Sequence, residues 1–165
     1  MYTVIGSPNS RAFRVIWMLE EIEQPYVLNP VKAGSTEAKA INPSGKVPAL
    51  LVDDVVITDS SAIMTFLADR HDALTYPAGT IERAHQDAYL HRINDEIDAV
   101  LWMAARHSFV LPEDKRVADV KPSLKWEFER NINRLMQDMA GPFLMGDKVT
   151  VPDLVLTLGP REQCY

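Results

Sequence analysis

The sequence predicts two domains, an α/β domain with the element order βαβαββα followed by an all-α domain. Short β-branched segments alternate with helical patterns through the first part of the chain, whereas no strand-like alternation appears after residue 80. A stretch at 76–80 that holds a proline and a glycine separates these two patterns. The predicted boundaries are 1–73 for the first domain, 74–81 for the linker and 82–165 for the helical domain.

A βαβ unit is predicted at the start of the chain. Residues 2–5 are mostly β-branched, which is typical of a strand. Residues 11–21 carry apolar side chains near helical spacing and end in two glutamates, which predicts a helix. A second strand is predicted at 25–28. A crossover of this length implies parallel pairing and a right-handed connection.

Two further strands, at 49–52 and 55–58, complete the predicted sheet. The two aspartates between them, at 53–54, suit the turn of an antiparallel hairpin. Asp59 or Ser60 can then cap a helix. The inner face of that helix is predicted to hold three apolar side chains, Ile63, Phe66 and Leu67.

The second half of the chain is predicted to be helical. One long helical pattern covers 81–109 and is interrupted by a proline-containing segment, and a second helix is predicted at 123–139. The apolar stripe of this second helix is predicted to be Leu124, Phe128, Ile132, Leu135 and Met136. Residues 150–153 form a capping box that begins a further helix, and the Gly159-Pro160 pair is expected to break it.

Composition excludes several classes of function. A net charge of −6 over 165 residues disfavours binding to a phosphate backbone. The single cysteine, Cys164, excludes an internal disulfide, a redox pair and a cysteine zinc site, and the four histidines lack metal-binding spacing. No apolar run approaches the ~18 residues that span a bilayer, and no signal peptide is visible, so a cytoplasmic protein is expected.

The Val47-Pro48 pair precedes a predicted strand. Proline cannot donate to a sheet ladder, so it must lie at an edge or at the start of a strand. A cis bond there can turn the N–H and C=O of Val47 outward, toward a peptide-like ligand. From the residues alone a trans bond is expected, because only about 5% of X-Pro bonds are cis.

Hydroxyl side chains stand at the start of two predicted helices. Ser60 can hold a ligand carboxylate at a helix N-terminus, and Asp59 can hold a ligand ammonium. Ser7 or Ser10, before the first helix, can donate a hydrogen bond to a bound thiolate. Helix capping alone is the simpler interpretation of each of these residues.

Four segments in order, 7–21, 42–50, 57–63 and 143–153, resemble the glutathione S-transferase family. The resemblance covers nearly the whole chain and points to a cytosolic member of bacterial or serine type. It implies a thioredoxin-like α/β domain that binds glutathione, followed by the family's helical domain. The tail after residue 156 departs from the family, whose members continue with further helices, and we expect it to be truncated or altered by a frameshift.

The resemblance implies a glutathione site in the first domain. Pro48 matches the family's cis-proline, with the backbone of Val47 pairing to the cysteinyl part of glutathione. Asp59 and Ser60 match the acid–serine pair that binds the γ-glutamyl end. Lys46 and Lys32 are expected near the glycyl carboxylate.

The residue that activates the thiol stays open between two serines. Serine-type classes place the hydroxyl four residues before an arginine. Ser7 stands four before Arg11, and Ser10 stands four before Arg14. Asn9 is also expected among the residues that bind glutathione. It lies where some bacterial members carry cysteine, which argues against a mixed disulfide with glutathione.

The implied function is a glutathione transferase that conjugates its cosubstrate, glutathione, to small hydrophobic electrophiles, without a metal and as a homodimer. The electrophile site is expected between the domains, lined by Met103, Arg106 and His107 of the long helix. Two alternatives remain. One is glutathione-dependent peroxide or disulfide reduction without a protein cysteine, and the other is a non-catalytic interaction module on the same fold.

Overall fold

The computed structural model describes residues 1–139 and 141–157 of the chain. Contacts divide it into two compact units, Met1–Arg83 and Ala84–Tyr165. The boundaries drawn from the sequence, with a linker at 74–81, stay a prediction.

The first unit contains a four-stranded mixed sheet in the order β2-β1-β3-β4. Its elements are β1 (Tyr2–Ile5), α1 (Ala12–Glu21), β2 (Tyr26–Asn29), α2 (Thr36–Ile41), β3 (Ala49–Val52), β4 (Val55–Thr58) and α3 (Ser60–His71). β1 pairs parallel with β2 and antiparallel with β3, which pairs antiparallel with β4. The predicted βαβαββα order and both pairing directions are therefore confirmed.

Helices α1 and α3 contact each other, and both bury an apolar stripe. On α3 the fully buried apolar side chains are Ile63, Met64, Leu67 and Ala68. The prediction of Phe66 on the inner face is therefore wrong, since Phe66 is half-buried and lies 5.5 Å from the guanidinium of Arg70. The buried stripe advances by 1, 3 and 1 residues, and residue 66 falls beside it.

The long helical pattern predicted at 81–109 is a nearly continuous helix. It consists of α4 (Ile81–Arg92), a π-helical turn (Ile93–Asp98), α5 (Ala99–Ala105) and a second π-helical segment (Arg106–Val110). The helix ends before the proline-containing segment, as predicted. Ile93, Ile97 and Val100 form its buried face in the second unit.

The helix predicted at 123–139 is α6, which covers Lys121–Gln137. One residue of its predicted apolar stripe is wrong. Met136 is 52% exposed, whereas Asn131 is 1% exposed on the buried face. The Asn131 amide donates to the carbonyl of Glu96 at 2.9 Å, within the π-helical turn. A polar side chain is stable there because it pairs a backbone group of an irregular helix.

Helix α7 (Val151–Leu156) begins at the predicted capping box. The Asp153 carboxylate accepts from the Thr150 N–H at 2.8 Å and from the Thr150 hydroxyl at 2.9 Å. It also accepts from the Leu144 N–H at 2.8 Å, which ties the preceding loop to the helix start. The Gly159-Pro160 pair and the tail after it lie outside the described residues.

Candidate functional site at one edge of the sheet

The strand register brings the predicted site residues of the first unit to one edge of the sheet. Ile5 is paired with both Asn29 and Ala49, and Ala49 is paired with Thr58. The carboxyl ends of β1, β2 and β4 therefore meet the amino end of β3. We call this the site edge, and it consists of residues 6–11, 30–35, 42–48 and 59–62.

The Val47-Pro48 peptide bond at the site edge is cis. The trans bond expected from the residues alone is wrong, and the cis bond implied by the family resemblance is confirmed. Pro48 is buried and Val47 is half-buried. Within the described part of the chain, the N–H and the carbonyl of Val47 have no hydrogen-bond partner.

Gly6 allows the loop after β1 to lie against Val47, a role that the sequence analysis missed. Its φ of +135° is in the region that favours glycine. A Cβ at this position would lie 2.8 Å from Cβ of Ala12, 3.1 Å from Cβ of Val47 and 3.5 Å from Oγ of Ser10. Ser10 and Val47 therefore both lie close to Gly6. Glycine directly after a strand and before a hydroxyl-rich loop is the signal that could have found it.

The two candidate serines differ in what their hydroxyl groups bind. The Ser10 hydroxyl donates to the Ser7 carbonyl at 2.7 Å and accepts from the Ala12 N–H at 3.2 Å. The Ser7 hydroxyl accepts from the Asn9 N–H at 3.2 Å. No described residue accepts the Ser7 hydroxyl proton. The N–H groups of Ala12 and Phe13, at the start of α1, both donate to Ser10 itself, so neither is a free donor beside the Ser10 hydroxyl.

Asp59 caps α3 with one oxygen of its carboxylate. Oδ1 accepts from the N–H of Ser61 at 2.9 Å and from the N–H of Ala62 at 3.1 Å. In the described residues no group donates to Oδ2. Asp59 has a φ of 72°, a conformation that costs free energy for a residue other than glycine. The capping interpretation is therefore correct, and it leaves half of the carboxylate available to a ligand.

Ser60 is the first residue of α3 and is 5% exposed. Neither its N–H nor its hydroxyl has a hydrogen-bond partner in the described parts of the chain. The N–H of a first helical residue has no acceptor within its own helix. Two unpaired donors on one residue, at the N-terminus of a helix, form a place where a carboxylate can bind.

The predicted lysines lie at the β2 side of the site edge. Lys32 follows β2, and the carbonyl of Lys46 accepts from the Asn42 amide at 2.9 Å. A backbone hydrogen bond of 2.8 Å from Gly34 to Gly45 ties the two loops together. Both lysine side chains are exposed, and neither ammonium group has a carboxylate partner among the described residues.

Met103, Arg106 and His107 are half-buried in the second unit. Nδ1 of His107 accepts from the Val117 N–H at 3.0 Å, so this ring has a structural role in holding the segment before α6. The second unit contains a cavity of about 460 Å³, and none of these three residues lines it. Its lining residues are Val100, Leu101, Ala104, Lys121, Pro122, Leu124, Lys125 and Phe128. The predicted electrophile site stays a prediction.

The described residues hold neither a candidate metal cluster nor a candidate membrane-spanning helix. They contain no group of three or more His, Cys, Asp or Glu side chains placed to hold a metal ion. None of their helices has the length and apolarity needed to cross a bilayer.

Comparison with known proteins identifies the family. Residues 7–70 match the sequence model of the glutathione S-transferase N-terminal domain. "Glutathione S-transferase Z2" of Arabidopsis thaliana is 27% identical to this chain over 94% of it and 72% of the relative. Residues 7–70 form a glutathione S-transferase N-terminal domain, and the rest of the chain is similar to proteins of that name. The thioredoxin-like fold of the first unit and the resemblance are thus confirmed.

Two other known proteins are similar to nearly the whole chain. A "Probable maleylacetoacetate isomerase" of Caenorhabditis elegans is 28% identical over 93% of this chain and 73% of the relative. The theta-class glutathione S-transferase of Xanthomonas axonopodis pv. citri, solved with glutathione bound, matches with a TM-score of 0.77. It is 25% identical and covers 94% of this chain and 78% of its own.

Proposed function

We propose that the protein is a glutathione transferase, which binds glutathione along the site edge and conjugates it through its thiolate sulfur to a small hydrophobic electrophile. The observation that carries the proposal is a row of unpaired polar groups at three points of this edge. They are the proton of the Ser7 hydroxyl, the backbone N–H and carbonyl of Val47, and the two donors of Ser60. A ligand with charged and polar groups along its length can pair all of them.

The order of these groups matches the order of groups in glutathione. Adjacent strands lie about 4.8 Å apart, so the four strand ends span roughly 14 Å. An extended tripeptide spans about 10 Å. Asp59 and Ser60 follow β4 at one side, Val47 precedes β3, and the lysines follow β2 or lie near it at the other side. The γ-glutamyl end, the cysteinyl part and the glycyl carboxylate are assigned in that order.

The γ-glutamyl end carries an ammonium group and a carboxylate, and the proposed partners have opposite character. Oδ2 of Asp59 accepts from the ammonium group while Oδ1 keeps its capping hydrogen bonds. The Ser60 N–H and hydroxyl donate to the carboxylate, which also gains from the dipole of α3. Because glutathione has a net negative charge, Lys32 and Lys46 offset the acidic charge of the chain at the glycyl end.

Ser7 is the proposed donor to the thiolate. A free thiol has a pKa near ~8.5 and is only a few per cent ionised at pH 7. The Ser7 hydroxyl is the better placed of the two serines, because its proton has no acceptor in the described protein while that of Ser10 is bound to a carbonyl. The thiolate sulfur attacks the electrophilic carbon, the leaving group departs with its electron pair, and the thiol proton goes to solvent.

Replacing Ser7 with Ala is expected to raise the pKa of the bound glutathione thiol by about one unit. This corresponds to roughly 1–1.5 kcal/mol from one lost hydrogen bond to the thiolate. The raised pKa lowers the thiolate fraction at neutral pH, so the conjugation rate is lower there. The rate recovers at pH values above the raised pKa of the thiol. Ultraviolet absorbance of the thiolate, titrated against pH, measures the shift. An unchanged titration would remove Ser7 from the mechanism.

Two measurements test the activity itself. Retention of the protein on immobilised glutathione, with elution by free glutathione, distinguishes a glutathione binder from an interaction module. Conjugation of a chloro-dinitrobenzene, with release of chloride, is the expected activity. Turnover of a hydroperoxide without conjugation would instead support the reductase alternative.

Isomerisation is a second candidate function, favoured by the relative named as a probable maleylacetoacetate isomerase. It uses the same site chemistry. The thiolate adds to an electron-poor double bond, the resulting single bond rotates, and the thiolate leaves with glutathione regenerated. Incubation with maleylacetoacetate and catalytic glutathione tests this function, because conversion without consumption of glutathione identifies an isomerase.

A homodimer and a cytoplasmic location also stay proposals. Sedimentation equilibrium of the purified chain tests the first, and fractionation of the source cells tests the second.

A further inference from the structure

We infer that Ser10 is a positioning residue for Ser7, and that it acts on the glutathione thiolate only through Ser7. This inference rests on the proposed role of Ser7 as the thiolate donor. The sequence does not distinguish Ser7 from Ser10. The inference assigns them different functions within the same turn.

The first observation is that the Ser7 carbonyl accepts two hydrogen bonds from one residue. The Ser10 N–H donates to it at 2.9 Å and the Ser10 hydroxyl at 2.7 Å. The first bond closes a turn over residues 7–10. The second helps to fix the peptide plane between residues 7 and 8. This plane orients the backbone of Ser7 and therefore its side chain.

The second observation is that the Ser10 oxygen also fastens this turn to helix α1. It accepts from the Ala12 N–H at 3.2 Å, and Ala12 is fully buried. A buried N–H without a partner is costly. Rotating the Ser10 hydroxyl toward a thiolate would give up its bond to the Ser7 carbonyl, so its present geometry favours support over direct donation.

The third observation concerns the Ser7 hydroxyl itself. The Asn9 N–H donates to its oxygen at 3.2 Å, which occupies a lone pair and restricts the side-chain rotamer. Asn9 lies within the turn that Ser10 closes. Loss of the Ser10 hydroxyl keeps the backbone hydrogen bond that closes this turn but removes the second bond to the Ser7 carbonyl and the bond that fastens the turn to α1. The turn that carries Ser7 and the Asn9 N–H is then held less firmly.

The test is a mutant cycle read by the pKa of the bound glutathione thiol. We expect Ser7→Ala to raise this pKa by about one unit and Ser10→Ala by about half a unit. The double variant should match Ser7→Ala alone, because Ser10 has nothing left to position. Ser10→Thr and Ser10→Val are a matched pair of similar shape, and only the hydroxyl of Thr should keep the pKa near that of the unmodified protein.

Each other result has a distinct meaning. If Ser10→Ala leaves the pKa unchanged while Ser7→Ala raises it, the positioning role is wrong and the proposed function stands. If the two shifts add in the double variant, Ser10 acts on the thiolate independently and the inference is overturned. If Ser7→Ala has no effect, the proposed donor and the inference both fail. Ser10→Cys keeps nearly the same side-chain size with only a weak donor, so it measures the effect if the hydroxyl-free variants do not fold, and an unchanged pKa in this variant would overturn the inference.

Discussion

Replacing Asp153 with Ala is expected to lower the free energy of unfolding by about 3–5 kcal/mol, a large part of a typical total of roughly 5–15. The Asp153 carboxylate accepts three hydrogen bonds, from the Leu144 N–H and from the N–H and hydroxyl of Thr150. Leu144 and Thr150 are both buried, so water does not replace the lost acceptor. The midpoint of urea denaturation, with its slope, measures the change.

The matched controls for this prediction are on the same segment. Asp147 is exposed and makes no hydrogen bond within the described residues, so Asp147→Ala is expected to change stability by less than about 0.5 kcal/mol. Asp153→Asn keeps one accepting oxygen and should lose roughly half as much stability as Asp153→Ala. Should Asp153→Ala not fold, the Asn variant still measures the effect. Equal stability of the Asp147 and Asp153 variants would show that the carboxylate does not stabilise the second unit.

The sequence predicted the sheet better than the helix faces because two different signals were available. The strands at 49–52 and 55–58 are defined to the residue, because a two-residue turn leaves little freedom in register. The inner face of α6 was predicted from apolar spacing alone. Spacing cannot reveal that a π-helical turn places the Glu96 carbonyl within reach of Asn131, and so Met136 was assigned to the wrong face.

The site was predicted in composition but not in hydrogen bonding. Resemblance located Val47, Asp59 and Ser60, and the register shows that these residues meet at one edge. Ser7 and Ser10 stand at the same distance from an arginine, so no spacing argument separates them. Their hydroxyl partners differ, and such partners depend on the rotamers of a folded turn.

Asp59→Asn and Ser60→Ala are each expected to weaken glutathione binding roughly 10- to 100-fold, because both residues are assigned to the γ-glutamyl end. Each removes a hydrogen bond to a charged ligand group, worth about 1.5–3 kcal/mol. Asn at position 59 keeps an oxygen to cap α3 and tolerates positive φ, so the fold should be retained. Ser60→Ala breaks no hydrogen bond within the described protein.

Glutathione analogues distinguish ligand binding from a structural role for these two residues. Glutaryl-cysteinyl-glycine lacks the ammonium group, so Asp59→Asn should not weaken its binding, whereas Ser60→Ala should. γ-Aminobutyryl-cysteinyl-glycine lacks the α-carboxylate, and the pattern should reverse. Isothermal titration calorimetry of both variants with all three ligands measures the four coupling energies. If each variant lost the same affinity for every ligand, its effect would lie in the geometry of α3, and the assignment of the two ends would be wrong. The predicted pattern follows because one carboxylate oxygen of Asp59 caps the helix and the other is unpaired, while Ser60 has two donors that the protein does not use.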